Sequence, residues 1–380
     1  MPRERPPARF HPLPFGVAAA ISTALVLSAP FIGEIRRAIL LRFPGQFVRI
    51  IGGIVLLAVA GATLAAVARI RLRDCPVWRY AALASSVIVA AGYAFATRTP
   101  DPQVNAVERF HFVEYGLVTW LFYRAWRPAG DLSTVALPAL AGLLVGTIEE
   151  WFQWFIPARV GDVRDVFLNG VAIACGLLFS TAVEPLHDLH RGLTPAGRAR
   201  IGALAAVLVF AFAAFFASVH VGHRISGDGW SFKSGFAAAG LDRLMEDRAA
   251  RWRNTFIGRP SRLAAEDQYM TEGLWHVQRR NTAWAAGEVA VAWRENQILE
   301  RYFVPVLDTP SYLSKTGHRW SADHRADAER QFRERGAAAI YESNAHASEI
   351  FVWPKPLYWI TVSIVAGTLL VPWIRQRQRG

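Results

Sequence analysis

The chain is poor in the residues and patterns that most reaction motifs need. Its 380 residues include two cysteines, Cys75 in a basic loop and Cys175 in an apolar segment. That placement argues against a disulfide, and two cysteines alone make no zinc site. There is no serine elbow, no zinc signature and no P-loop. His187 and His190 lie close together, but no third ligand accompanies them, so neither a metal nor any other cofactor is expected. There is no basic stripe with interleaved aromatics either, which argues against nucleic-acid binding despite a net charge of +12. The excess charge is also unevenly placed. Residues 223–354 carry 18 basic and 17 acidic side chains, and the remainder carries 24 and 13. The surplus lies in short loops between apolar segments, where basic residues set membrane orientation.

What the chain has is hydrophobicity, at 53% of residues and a mean hydropathy of +0.21, gathered into runs of membrane length. Eight candidate spans are read, at about 14–33, 47–70, 80–97, 108–126, 133–155, 165–184, 200–221 and 356–374. The first follows Arg3, Arg5 and Arg9 but lacks a small-residue cleavage pattern, so it reads as retained. Glycine and alanine are frequent in spans two, three and six, which suits close helix packing in lipid. The expected fold is an all-α, polytopic transmembrane bundle of about eight spans with a helical soluble insertion before the last. The expected division is 1–104 (three spans), 105–184 (three spans), 185–222 (a seventh), 223–355 (the insertion) and 356–380 (the last span and a basic tail). With the N-terminus inside, the inside segments carry 15 arginines and the short outside loops 8. This bias predicts cytoplasmic termini and an extracytoplasmic insertion. The weak point is the first loop, with Arg36, Arg37, Arg42 and Arg49. Within the insertion, Ala265–Ala285 and Val289–Phe303 predict an αα-hairpin. It resembles one tetratricopeptide-type hairpin, with no second copy to make an array. His276 and Arg280 share one face there, read as a solvated helix face.

Spans four to six hold ionisable residues that lipid does not tolerate unless they are paired. His111, Glu114 and Tyr115 fall at i, i+3 and i+4 and share a helix face. Glu149 and Glu150 precede Gln153, and at least one of the two carboxylates is expected to face the protein interior. Trp151, Phe152, Trp154 and Phe155 around them read as an interfacial belt. Arg159, in the connector to span six, suits either a bidentate clamp on a phosphate or carboxylate or a pair with Asp162 or Asp165. Asp165 and Asn169 share one face of span six, where a buried asparagine bonds another helix or a ligand.

These residues resemble the VanZ-like family of bacterial membrane proteins. The matching pattern is His111 and Tyr115, then Glu150, Gln153, Phe155, Pro157 and Arg159, then Asp165, Asn169 and Gly176, over about 105–183. The chain departs from that pattern at Val107-Glu108, where many members carry Asp-Lys, and at Ala172, where glycine is frequent. The family is named for a protein linked to teicoplanin resistance, and the resemblance implies an envelope protein of the bacterial inner membrane.

Two functional expectations follow. In the first, His111, Tyr115, Glu150, Gln153, Arg159, Asp165 and Asn169 line an outward-facing polar pocket. It would hold a lipid headgroup, a lipid-linked wall precursor or a lipoglycopeptide tail, with 223–355 recruiting a periplasmic partner. In the second, the chain is an interfacial hydrolase or transferase. His111 with Glu114 or Glu150 would then serve as acid and base, and Arg159 would stabilise developing negative charge.

Overall fold

Long apolar runs become helices because a helix satisfies its backbone polar groups internally, as lipid requires. The computed structural model describes residues 11–72, 77–157, 159–184, 192–251, 261–335 and 340–378. Cys75, His187 and His190 lie outside the described residues. In chain order the first helices are α1 (Pro12–Arg42), α2 (Phe47–Arg71), α3 (Val77–Ala96), α4 (Pro102–Trp126), α5 (Ser133–Phe155), α6 (Val163–Val183) and α7 (Pro195–Val219). Strands β1 (Val221–Gly227) and β2 (Trp230–Ser234) follow, then α8 (Ala238–Arg251), α9 (Ala265–Ala285), α10 (Val289–Tyr302), α11 (Val304–Asp308) and α12 (Ala322–Arg335). Strands β3 (Tyr341–Ser343) and β4 (Phe351–Val352) precede the last helix, α13 (Lys355–Arg377).

The chain divides into two compact units. One comprises Met1–Phe152, Asp162–Phe215 and Trp359–Gly380, and the other Gln153–Gly161 and Phe216–Tyr358. In the first unit, α1 continues through Arg36, Arg37 and Arg42 and α2 includes Arg49, so all four first-loop arginines are helical. Among the described residues, seven helices are long and apolar enough to cross a membrane: α1, α2, α3, α5, α6, α7 and α13. The expected eighth, α4, is 25 residues long but carries Glu108, Arg109, Glu114 and Arg124. Its placement accounts for that composition. It lies against α1, α2, α3 and α6, so many of its side chains meet protein where an outer helix would meet lipid. Tyr115, Val118 and Tyr123 in α4 are fully buried, whereas Leu27, Leu57 and Ile88 on α1, α2 and α3 face outward. Small residues set how closely the helices approach. A Cβ on Gly176 of α6 would lie 3.0 Å from both the Gly116 Cα and the Thr119 Cβ of α4, so α4 and α6 cross nearly backbone to backbone.

The end of this unit where α2, α4 and α6 finish is a polar layer. Buried Arg79 donates from Nε to the Ala182 carbonyl (2.7 Å) and from Nη2 to the Val183 carbonyl (3.0 Å), satisfying the otherwise unpaired end of α6. The Tyr123 hydroxyl donates to the Glu184 carbonyl at 2.6 Å. The Glu184 carboxylate, 2% exposed, faces Arg69 at 3.1 Å, Arg124 at 3.6 Å and Arg127 at 3.3 Å. Asp131, in the loop before α5, accepts from the Ser133 amide at 2.9 Å and the Thr194 amide at 3.0 Å. Burial pushes its carboxyl up, but the bonds from Ser133 and Thr194 outweigh that and hold it below its ordinary value.

The second unit is mostly helical, and it also contains a four-stranded sheet, ordered β3-β2-β1-β4, that helical periodicity did not suggest. Strands β1 and β2 form an antiparallel hairpin with Gly227 opposite Trp230, closed by Asp228-Gly229 with Gly229 at φ +71°. Glycine reaches that conformation without penalty, which is why Asp-Gly closes such turns. Strands β3 and β4 add in parallel at the two edges. Helices α9 and α10 form the expected hairpin, ending α9 at Gly287 with φ +74°. Phe232, Leu274, Val277, Ile298 and Phe303 build the core between sheet and helices. The expectation of a solvated face at His276 and Arg280 is overturned, because both are 2% exposed. The His276 Nδ1–H donates to Glu295 at 2.6 Å, and Glu295 also accepts from the hydroxyls of Tyr341 (2.6 Å) and Ser343 (2.5 Å). Burial alone would raise the Glu295 carboxyl, but these partners hold it below its ordinary value. Face-sharing told which residues lie together, and the polar partners waiting on α10 and β3 decided which face was buried.

Candidate functional site

Helices α4, α5 and α6 bring polar side chains together in the interior of the first unit. The Tyr115 hydroxyl, on α4, donates to the Glu149 carboxylate of α5. The His111 ring, one turn earlier on α4, stacks on Tyr115 with centroids 6.1 Å apart and planes at 11°. Gly146, one turn before Glu149, makes the room. A Cβ there would lie 3.0 Å from Asn169 Nδ2 and 3.3 Å from the Tyr115 hydroxyl. Asn169 on α6 therefore sits beside the tyrosine-glutamate pair. Its side chain is fully buried, and neither Oδ1 nor Nδ2 has a hydrogen-bond partner among the described residues. The Thr147 hydroxyl, next to Gly146, is buried and unbonded as well. Buried polar groups in native proteins are nearly always bonded, so an unbonded carboxamide marks a place where a ligand or water belongs.

Glu150 is 1% exposed, and its carboxylate accepts from the Asp162 amide at 3.3 Å. Asp162 in turn accepts from the Arg164 amide at 2.9 Å and so starts α6. Asp165 lies in the first turn of α6, half-buried. Glu114 and Glu150 also act electrostatically on Tyr115, whose hydroxyl bonds Glu149. Glu108, at the position where the chain departs from the family pattern, forms an ion pair with Arg164.

The remaining expected residues behave differently. Gln153 and Arg159 belong to the second unit, where Arg159 donates from Nε (3.0 Å) and Nη2 (2.5 Å) to the Gln153 side-chain oxygen. Arg159 thus closes a fork on its own helix end. Of the four aromatics in the interfacial-belt reading, Trp154 packs within the second unit. Trp154 is 4% exposed and lies against Trp275, His346 and the Arg262 guanidinium, whose carbon is 4.4 Å from its ring centre.

Two residues have contacts that the spacing pattern does not indicate. Glu149 was weighed with Glu150, and the spacing pattern selected Glu150, yet Glu149 is the tyrosine's partner. A Glu-Glu pair whose members both sit in a tightly packed helix was the available signal. Arg262 donates to the carbonyls of Trp154, Ile156 and Arg159, holding the end of α5 and the connector after it. Burial lowers its guanidinium to about 10, still charged at neutral pH. Nothing local in the sequence links it to carbonyls more than a hundred residues away. Among the described residues, no group of three His, Cys, Asp or Glu side chains is placed to hold a metal ion.

The VanZ/LLP1 family model matches residues 81–184, which is α3 to the end of α6 and includes Tyr115, Glu149, Glu150 and Asn169. Residues 81–184 are thus VanZ-like, in a chain whose described residues include seven helices long and apolar enough to cross a membrane. The VanZ-like region reaches one helix further toward the N-terminus than the spacing pattern did, taking in most of α3, which packs on α6. No curated protein and no solved structure matches the chain.

Proposed function

We propose that the VanZ-like region binds the polar headgroup of a lipid-linked envelope molecule, and does not transform it, in the cytoplasmic membrane of a bacterium. The observation that carries this reading is the Asn169 carboxamide, fully buried beside Tyr115 and Glu149 and unbonded on both of its ends. An amide offers one donor face and one acceptor face and moves no proton, which suits recognition. Three of the groups able to do acid-base chemistry contact other protein groups. Glu149 holds the Tyr115 hydroxyl, Glu150 holds the amide that starts α6, and His111 lies flat on Tyr115. The arginine bias, 15 against 8, supports cytoplasmic termini and an extracytoplasmic insertion at 223–355. On that orientation the starts of α4 and α6 face outward, where wall precursors are displayed.

The test titrates purified protein in nanodiscs with undecaprenyl-pyrophosphoryl disaccharide-pentapeptide and follows both binding and product formation. Wild type is expected to bind without turnover, and Asn169→Leu to bind roughly 10- to 100-fold more weakly through loss of one or two hydrogen bonds. Retained helicity and melting temperature would show that the variant folds. Unchanged affinity in folded Asn169→Leu would overturn the assignment of the site. Product release that depends on Glu149 or Glu150 would favour the hydrolase or transferase reading instead.

A further inference from the structure

Helices α2, α3, α4 and α6 of the first unit line an open-sided cavity of about 520 Å³. That is within the range of about 300–1,000 Å³ typical of small-molecule sites. Its wall is almost wholly hydrocarbon, including Ala62 and Ala66 of α2, Val87 of α3, Gly116 and Trp120 of α4, and Phe179 of α6. The cavity arises because α2 presents small side chains where a packed helix would present large ones. Tightly packed interiors leave few voids larger than a water molecule, so a space of this size in a membrane bundle fits an apolar occupant.

Charged groups stand near one end of the lining, with Thr63 and Ser86 as further polar side chains along the wall. Arg69 belongs to the lining itself and reaches Glu184 at 3.1 Å, beside Arg124 and Arg127. Among the described residues, three guanidiniums thus share one carboxylate. The arginine side chains are 44%, 43% and 32% exposed, so their remaining donors are accessible. The Arg124 guanidinium lies 5.1 Å above the Trp120 ring, and the buried Trp120 indole N–H has no hydrogen-bond partner. An apolar slot, an unbonded donor in its wall and guanidinium groups near its end match, in order, an acyl chain, an ester carbonyl and a phosphate.

We propose that this cavity is a binding site for one anionic glycerophospholipid, with an acyl chain between α2 and the α3-α4-α6 wall and its phosphate on Arg69, Arg124 and Arg127. The site is distinct from that at Asn169 and stands whether or not the headgroup reading there holds. Native mass spectrometry of the full chain released from detergent tests it, with phosphatidylglycerol, phosphatidylcholine and inorganic phosphate as probes. Wild type is expected to retain one phosphatidylglycerol with about tenfold or greater preference over phosphatidylcholine, the scale of one charge-assisted hydrogen bond. Arg69→Gln is expected to lose the preference. Ala62→Phe is expected to lose the lipid, since Ala62 is exposed at the cavity wall and a larger side chain there fills the space without displacing packed neighbours. Equal retention of both lipids by wild type, or undiminished retention by Ala62→Phe, would overturn the proposal. So would a melting-temperature rise with inorganic phosphate as large as with phosphatidylglycerol, since the tail would then contribute nothing.

Discussion

His318 is 6% exposed, with its Nε2 3.0 Å from the Ser311 hydroxyl and its carbonyl accepting from Arg280 at 2.6 Å. Burial, with the Arg280 charge adding to it, lowers the imidazole to about 4. The unfolded chain takes up this proton near pH 6.5 and the folded chain near pH 4, so stability is full above pH 6.5 and falls as pH drops toward 4. His318→Gln should flatten that fall by an amount on the order of 2–3 kcal/mol. Melting the full chain in detergent at pH 7 and pH 5 checks this, and a wild-type decline as shallow as the variant's would count against it. Single residues were read unevenly from sequence. His111, Tyr115 and Asn169 were legible because charge and amide groups in an apolar helix are conspicuous. His276 was misread because a helix with polar groups around it has no obvious inner face until the partners Glu295 and Tyr341 are known.

Helix by helix, the apolar runs located the seven helices long and apolar enough to cross a membrane, because length and hydropathy are properties of contiguous sequence. What they missed depends on contacts far along the chain. The β1-β2 hairpin carried a local sign in Asp228-Gly229 between alternating residues, but five- to seven-residue strands are weak beside helical periodicity. Arg262 carried no sign at all. Its fork satisfies three carbonyls at the end of α5, a task a lysine ammonium performs only in part. Arg262→Ala should therefore speed hydrogen exchange at residues 153–157 and 159–161, with Arg262→Lys intermediate and the core of α9 and α10 unchanged. Each charge-assisted bond contributes about 1.5–3 kcal/mol, enough to move local exchange by tenfold or more. Unaltered exchange at these amides in Arg262→Ala would remove the arginine from this role.

Across the whole molecule, composition alone indicated a membrane protein. The VanZ-like region could be read from about seventy residues of spacing because its polar positions are fixed against an apolar background. Its extension into α3 could not, since α3 contributes mainly packing against α6. The central helix α4 shows why span-counting and architecture differ. Its charges exclude it by hydropathy, yet protein surrounds much of it and supplies partners such as Glu149 for Tyr115.

The central claim is that polar groups of α4, α5 and α6 meet around the unbonded Asn169 carboxamide. The most direct measurement is an experimental structure of the full chain in nanodiscs made from bacterial lipids, at a resolution that shows bound non-protein groups. The account predicts density from a lipid headgroup or ordered water within hydrogen-bonding distance of both Asn169 side-chain atoms, with Tyr115 bonded to Glu149 beside it. Asn169 bonded instead to a neighbouring protein side chain, or Tyr115 and Glu149 turned apart, would contradict it.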